Sequence, residues 1–294
     1  MLELAKNNRR LVQTITALGT NSYFKGFIDG NIFKGVTKNF CVPGLNCYSC
    51  PGALGSCPIG SLQAVIGAIE YKISFYILGI ITLFGTLFGR FICGWLCPFG
   101  FIQELFYKIP SKKYRISGRN RLKYLKYIIL VVFVILMPML LVNKYGIGAP
   151  AFCKYICPAG TLEAGIPLFL VNSSLRGAVG FLFSWKVFLL VITIGASILI
   201  NRPFCRFICP LGAIYSLFNP VALYRMEILE NKCIDCGICQ KTCKLDVDIR
   251  NNPNSGECIR CGECMEACPT KAIKSKFKLN EDINNGGSEF EENH

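Results

Sequence analysis

The sequence predicts a membrane α-helical bundle, with three clear spans and a fourth at the N-terminus, followed by a small α+β domain. Of its 294 residues, 52% are hydrophobic, and many of them gather in long uncharged runs. Its 18 cysteines recur at regular spacings, eight of them close together near the C-terminus. This length is enough for two modest domains. We place them at residues 1–222 and 223–279, with a polar, disordered tail over 280–294.

Three apolar runs are the clear spans. Ile73–Gly89 and Tyr127–Asn143 carry no charged residue, and Gly177–Ile200 carries only one. A bilayer core needs ~20 apolar residues, with a usual range of ~17–25, so these runs fit as spans with snorkelling Lys and Arg at their ends. The alternative, buried helices of a soluble protein, fits poorly with runs so free of polar residues. Met137-Pro138 predicts a kink in the second run.

The distribution of basic residues orients the chain. Arg90–Lys126 is rich in Lys and Arg and Asn143–Arg176 is poor in them, so the positive-inside rule places the first segment in the cytoplasm and the second outside. The C-terminal domain is then cytoplasmic. Leu11–Phe33, which contains Lys25 and Asp29, is either a fourth span or an interfacial helix. A span there brings both termini inside, and this is the topology that we predict.

The C-terminal cysteines form two copies of the pattern C-x2-C-x2-C-x3-C. Loops of two residues let one chain wrap three corners of an iron–sulfur cubane, and Gly237 and Gly262 relieve crowding there. A single C-x2-C also suits zinc, but two complete copies favour [4Fe–4S] clusters. The first copy holds Cys233, Cys236, Cys239 and Cys243, and the second holds Cys258, Cys261, Cys264 and Cys268.

This arrangement resembles the bacterial two-cluster ferredoxins over about Arg225–Phe277. The resemblance implies that three cysteines of one motif share a cluster with the fourth cysteine of the other. Lys244 stands where the first motif usually has proline, which removes no ligand. One cluster then takes Cys233, Cys236, Cys239 and Cys268, and the other takes Cys258, Cys261, Cys264 and Cys243.

A second repeat, C-P-x-G-x-[L/I] and then usually Gln or Glu, occurs four times in the first 215 residues. The copies begin at Cys57, Cys97, Cys157 and Cys209, and the last three have a partner cysteine four residues earlier, at Cys93, Cys153 and Cys205. The first copy has Ala53 at that place and carries Cys41, Cys47 and Cys50 upstream. One clear span separates each copy from the next, so successive copies are expected on alternate sides of the membrane.

Copies two and four then form one cytoplasmic-side cluster site and copies one and three form one outer site. The first site has Cys93, Cys97, Cys205 and Cys209. The second has Cys57, Cys153 and Cys157 and needs one of Cys41, Cys47 and Cys50, of which Cys50 is preferred because it precedes Pro51. Cys47 and Cys50 are also candidates for a redox-active dithiol, or for a structural disulfide. The sequence therefore predicts up to four [4Fe–4S] clusters.

The C-x3-C-P pairs beside membrane spans resemble the NapH-type membrane iron–sulfur proteins, and the related domains of NosR-like and CcoG-like proteins. The resemblance covers most of Arg90–Cys268, and the Cys41–Gln63 segment departs from the simplest members. It implies an electron relay between a quinol or a cytoplasmic donor and a second redox protein.

Composition and charge narrow the possible partners and cofactors of the chain. The net charge is +14, and the basic residues are concentrated beside the apolar runs. This favours an anionic membrane face over nucleic acid as the partner. The only histidine is His294, so haem is not expected. No glycine-rich dinucleotide fingerprint is present, whereas a flavin or quinone pocket leaves no reliable motif. Arg202, Arg206 and Lys154 lie beside cysteines and either offset cluster charge or anchor the chain at the membrane face.

The leading hypothesis is therefore an electron-transfer component, rather than a stand-alone oxidoreductase. Electrons pass from a cytoplasmic donor through the C-terminal domain to the membrane cysteines, and then to a redox partner protein or a quinone. The alternative is a redox sensor or maturation factor that reduces the metal or thiols of a partner.

Overall fold

Helices make up most of the regular structure. The structure is a computed structural model that describes residues 2–68, 75–116, 121–143, 148–172, 177 and 180–278, with side chains from residue 8 onward. The tail predicted over 280–294 lies outside these residues. Up to residue 222 the helices are α1 Leu2–Thr20, α2 Phe24–Asp29, α3 Pro58–Gly67, α4 Phe75–Phe88, α5 Phe91–Trp95, α6 Pro98–Tyr107, α7 Arg121–Leu140, α8 Ala151–Tyr155, α9 Pro158–Val171, α10 Phe181–Leu199, α11 Pro203–Phe207 and α12 Pro210–Phe218.

Helices α7 and α10 are long and apolar enough to cross a membrane. The distribution of apolar and polar side chains on them is the reverse of that on a helix of a water-soluble protein, whose apolar side faces inward. In α10, Phe181 and Val191 are exposed, whereas the hydroxyl-bearing Thr193 and Ser197 are buried. Helices α3, α4 and α9 are apolar and shorter. The first predicted run corresponds in its described part to α4, and the count of three or four spans remains a prediction.

The N-terminal segment departs from the prediction. Leu11–Phe33 is not one helix, because α1 ends at Thr20 and α2 starts at Phe24. The Thr20 hydroxyl and the Asn21 amide donate hydrogen bonds to backbone carbonyls of the preceding turn, and such side-chain bonds compete with helix continuation. The segment Leu11–Phe33 is therefore divided between two helices, and a fourth span there remains a prediction.

The proline of the second run does not end its helix. Helix α7 continues through Pro138 to Leu140, and its Leu130–Leu136 segment is a π-helix. A π-helical turn shifts the hydrogen-bond register by one residue and is one of the recognised ways in which a helix absorbs a local defect. The structure thus has a register change immediately before the proline, and the kink at Met137-Pro138 remains a prediction.

The C-terminal module, residues 223–278, has the expected α+β composition. Strands β1 Tyr224–Ile228 and β2 Ile273–Phe277 pair antiparallel, with Met226 opposite Ser275. Two short helices, α13 Ile238–Thr242 and α14 Glu263–Ala267, each carry the third cysteine of a motif. The strands join the two ends of the module and hold the cysteine loops between them.

Backbone contacts and buried ion pairs attach the module to the helices. The Trp95 indole donates a hydrogen bond to the Arg260 carbonyl at 3.0 Å. Glu257 accepts hydrogen bonds from Lys126 at 2.6 Å and from Arg90 at 2.8 Å, and both cations are almost fully buried. Removing one partner of a buried ion pair costs about 3–5 kcal/mol, so this attachment has a defined geometry.

Gly94 provides a direct test of this attachment. A methyl group at this position collides with the carbonyl oxygen of Ile259, whereas a methyl group at Gly195 in α10 meets nothing within 4 Å. We therefore expect Gly94→Ala to loosen the module and to accelerate its release by limited proteolysis near residue 222. Gly195→Ala is the control, because glycine to alanine within an open helix stabilises by about 0.5–1 kcal/mol. Equal release rates for the two variants contradict this account of the attachment.

Candidate metal centres

All eighteen cysteines are free thiols, and most of them gather in four groups, three of four cysteines and one of three. Two groups lie in the C-terminal module. Cys233, Cys236, Cys239 and Cys268, the distal group, line one cavity of about 140 Å³. Cys243, Cys258, Cys261 and Cys264, the docked group, line another, next to the helices. Each motif thus gives its fourth cysteine to the other group, which is the pairing that the ferredoxin resemblance implied.

The backbone of the two motifs repeats with a period of 25 residues. Gly237 and Gly262 have φ values of +68° and +85°, the left-handed region in which glycine is favoured. Asp235 and Arg260, each two residues before these glycines, also have positive φ. Alternation between right- and left-handed residues turns successive N–H groups to one side and forms an anion-binding concavity. These loops therefore suit a negatively charged cluster.

The inner group consists of Cys93, Cys97, Cys205 and Cys209, which are at most 7% exposed. Burial raises the pKa of all four thiols, and in each case another cysteine of the group raises it further. The pKa of Cys97 rises to about 11, from burial first and then from Cys205. Four thiolates gathered in one buried group repel one another unless a cation is bound between them.

The C-P-x-G motif is a helix start. Cys97 and Cys209 are the N-cap residues of α6 and α12, and their Sγ atoms accept hydrogen bonds from the backbone N–H of Gly100 and Gly212, both at 3.4 Å. Proline is favoured at the first helical position because its missing N–H has no partner there. The positive end of the helix dipole stabilises a thiolate at the N-cap.

Two crossed arginines join copies two and four. Arg90 donates to the carbonyl of Cys205 at 3.1 Å, and Arg202 donates to the carbonyl of Cys93. Both guanidinium groups are buried and both are ion-paired, Arg90 with Glu257 and Arg202 with Glu104.

Burial decides between the two roles that the sequence left open for these cations. Arg202 and Arg206 are buried, so they offset charge within the protein, whereas Lys154 is exposed. Arg90 was not among the predicted site residues. The repeat itself could have indicated this residue, because Arg90 and Arg202 both stand three residues before the first cysteine of their copies.

The glutamine six residues after a motif cysteine holds the opposite copy. Gln103 donates to Cys205 Sγ at 3.1 Å and accepts from the N–H of Phe204 at 3.2 Å. Gln63 makes the same two bonds at the other site, to Cys153 Sγ at 3.3 Å and from Phe152 at 2.9 Å. Copies two and four therefore pair, as do copies one and three.

The outer group consists of Cys57, Cys153 and Cys157, which line a cavity of about 500 Å³. The upstream cysteine on the same cavity is Cys47, and Cys50 is not among its lining residues. The Sγ atom of Cys50 lies 3.6 Å from the side-chain oxygen of Asn21. The preference for Cys50 does not match this placement, because the chain turns between Cys47 and Cys50.

The upstream segment, Cys41–Cys50, also reaches the inner group. A methyl group on Gly44 lies 3.0 Å from the Cys97 Cα, and the N–H of Leu45 donates to the Cys97 thiol. Three residues span at most ~11 Å, so the Cα atoms of Cys47 and Cys97 are within roughly 15 Å. A bilayer core is ~30 Å thick. The inner and outer groups therefore lie closer together than the two membrane faces at which they were expected.

The donor sets fit iron–sulfur clusters. Each of the four groups offers three or four soft sulfur donors, which select Fe–S clusters, zinc or Cu(I) among the common protein metals. Among the described residues, no three Cys, His, Asp or Glu side chains converge closely enough for a single metal ion. Ligation by four cysteines is typical of [4Fe–4S] clusters.

Comparison with known proteins agrees with this chemistry. A 4Fe–4S binding domain family matches residues 73–117, 127–170 and 181–225, and a second 4Fe–4S binding domain family matches residues 253–274. The three segments of the first match include copies two, three and four of the C-P-x-G motif. No solved structure matched the chain.

Three relatives are informative. Protein MJ0750 of Methanocaldococcus jannaschii is 31% identical over 68% of this chain and 77% of its own length. The regulatory protein NosR of Stutzerimonas stutzeri is 31% identical over 58% of this chain and 22% of its own length. The ferredoxin-type protein NapH of Haemophilus influenzae is 24% identical over 60% of this chain and 55% of its own length.

The sites and these matches define an iron–sulfur protein that binds two or more [4Fe–4S] clusters, with a ferredoxin-type C-terminal domain. Within this class, the chain belongs to the NapH-type 4Fe–4S proteins.

Gln103 allows the donor and acceptor roles at the inner group to be separated. Gln103→Leu leaves the buried Phe204 N–H unpaired, and we expect a loss of about 1–3 kcal/mol in the free energy of unfolding. Gln103→Glu retains the acceptor but loses the donor to Cys205. Since hydrogen bonds to cluster sulfurs raise the reduction potential, both variants should lower the potential of the inner cluster in an EPR-monitored titration.

The matched control is Gln63→Leu, which makes the equivalent change at the outer group. It should shift the outer potential and leave the inner one unchanged. A shift of the same signal in both leucine variants would contradict the assignment of one glutamine to each site.

Proposed function

We propose that the chain is a multi-pass membrane electron-transfer protein in which four [4Fe–4S] clusters form one series. The observation that carries the proposal is that consecutive cysteine groups are joined by direct contacts. The series runs from the distal group through the docked and inner groups to the outer group. The chemistry supplied by each cluster is one-electron exchange, and the role of the chain is to hold the four sites in order.

The distal group is the point at which a cytoplasmic donor has access. Cys236 is exposed, and the other three cysteines of the group are partly exposed. The docked and inner groups are more deeply buried. Because Cys243 and Cys268 are exchanged between the motifs, the two groups of the module are joined through short covalent paths. A redox protein that touches the module at Cys236 is therefore within reach of the series.

The docked and inner groups meet at the interface between the module and the helices. The carbonyl of Ile259 packs against Gly94, and each of these residues directly follows a cysteine, Cys258 and Cys93. Asn219 donates to the Cys258 carbonyl at 3.0 Å. The interface therefore brings the backbone beside Cys93 into contact with the backbone beside Cys258.

The inner and outer groups are joined by the upstream segment. Leu45 bonds to the Cys97 thiol, and Cys47 lies on the outer cavity two residues later. The buried Tyr215 holds this segment by donating a hydrogen bond to the Pro43 carbonyl at 3.0 Å. This link supports transfer from the inner to the outer group along a short stretch of chain.

The exposed surface of the helices supports a membrane location with several spans and a cytoplasmic module. Helix α1 directs Arg9 and Gln13 inward, where both bond to the Gly94 carbonyl, and exposes Leu11, Ile15 and Leu18. Polar groups inside and large apolar side chains outside are expected where lipid surrounds the protein. The acceptor at the outer group is then a redox partner protein or a quinone.

A regulatory role is the second candidate, because one relative carries the name regulatory protein NosR. In that case the clusters report a redox state, or reduce the metal or thiols of a partner during its assembly. The two functions differ in turnover, since a relay passes many electrons per chain and a sensor passes few.

Anaerobic purification in detergent, with iron, sulfide and EPR quantitation, tests the relay. Four clusters require about sixteen irons per chain. In liposomes with a reductant at the module side and an acceptor on the other side, we expect acceptor reduction by the intact protein. Cys93→Ser should retain about twelve irons and a reducible module but should stop this reaction. Acceptor reduction that continues in Cys93→Ser, or its absence from the sixteen-iron protein, contradicts the relay.

A further inference from the structure

The first C-P-x-G copy lacks one sulfur. Ala53 occupies the place that Cys93, Cys153 and Cys205 occupy in the other copies, and it is fully buried. The outer group therefore has three sulfurs from its own two copies, and a cubane with four cysteine ligands needs one more. The missing ligand must come from the upstream segment, which holds Cys41, Cys47 and Cys50.

The motif glycines reveal which sulfur replaces it. A methyl group on Gly60, in copy one, lies 3.9 Å from Cys153 Sγ, and a methyl group on Gly160, in copy three, lies 3.5 Å from Cys47 Sγ. Each glycine leaves space for one sulfur. Cys47 thus occupies, relative to copy three, the position that Cys153 occupies relative to copy one.

The residue six positions after the motif cysteine gives the same correspondence independently. In copy one, Gln63 bonds to Cys153 Sγ and to the backbone N–H just before it. In copy three, Glu163 accepts a hydrogen bond from the Cys47 backbone N–H at 2.7 Å. Both residues therefore fasten the chain that carries the opposing cysteine.

The remaining upstream cysteines have other neighbours. Cys50 is 1% exposed and lies beside Asn21, and Cys41 lies 3.5 Å from the Ser61 hydroxyl. Neither lines the outer cavity. By contrast, Cys47 lines the outer cavity together with Cys57, Cys153 and Cys157. Its position therefore matches that of a fourth member of the outer group.

We propose that Cys47 is the fourth ligand of the outer [4Fe–4S] cluster, together with Cys57, Cys153 and Cys157, and that Cys41 and Cys50 bind no cluster. This inference rests on the proposed function, which requires an outer cluster. It also removes Cys47 from a redox-active dithiol with Cys50, since a thiolate bound to iron is not available for disulfide formation.

Serine variants of the three upstream cysteines test the assignment. Cys47→Ser should lower the iron content by about four atoms per chain and remove the EPR signal of the outer cluster, with the signals of the module unchanged. The double variant Cys41→Ser/Cys50→Ser should retain about sixteen irons and all four signals. This double variant decides the question even if Cys47→Ser fails to fold, because it leaves Cys47 as the sole upstream thiol.

The outcomes distinguish this inference from the function on which it rests. Loss of four irons in the double variant, with a wild-type content of sixteen, overturns the role of Cys47 and leaves the relay intact. A wild-type content of about twelve that does not change in Cys57→Ser removes the outer cluster, and the role of Cys47 with it.

Discussion

The arrangement of the helices depends on the compensation of negative charge inside an apolar body. Four thiolates on a cluster carry charge that is costly to bury unless cations and N–H groups face it. At the inner group the two crossed arginines, Arg90 and Arg202, supply this compensation. Each binds a cysteine carbonyl of the other copy, so the groups that neutralise the site also join the halves that build it.

The same arginines extend the network outward. Glu257 joins Arg90 to Lys126 of α7 and belongs to the C-terminal module. Glu104 joins Arg202 to Arg9 of α1. The module and the N-terminal helix are thereby attached to the inner site by two sets of buried charges, one through each arginine. Truncation of any member leaves a charge unpaired in the interior, which is why such networks define geometry more than they add stability.

Local spacing predicted the two cysteine motifs of the module, and the resemblance to two-cluster ferredoxins implied how their cysteines are grouped. Two residues between ligands and three before the fourth leave little conformational choice, and the structure places these eight cysteines in the implied groups. The pairing of copies two and four could also be predicted, because Cys93 and Cys205 stand at equivalent positions of a repeat. The apolar runs likewise predicted α7 and α10, since span length is a property of the local sequence.

Features that depend on tertiary contacts could not be predicted from the sequence. The break of the N-terminal segment at Thr20 depends on side chains that bond to the preceding turn. The choice of Cys47 over Cys50 depends on Gly160 and Glu163, more than a hundred residues away. Alternation of the copies across spans suggested two distant faces. Short helices such as α3 and α6, however, start at the cysteines within the body, and the upstream segment bridges the two groups.

The upstream segment has a further consequence for the order in which the protein is completed. It is synthesised before any of the four copies, and it contacts copy one through Ser61 and copy two through Cys97. It also contacts the third and fourth copies, through Glu163 and Tyr215, at separations of 116 and 172 residues. Contacts between residues so far apart in the chain form slowly, because the intervening loop must close first. These contacts of the upstream segment are therefore completed late, and the outer cavity has all of its lining residues only when the chain has emerged beyond Lys186.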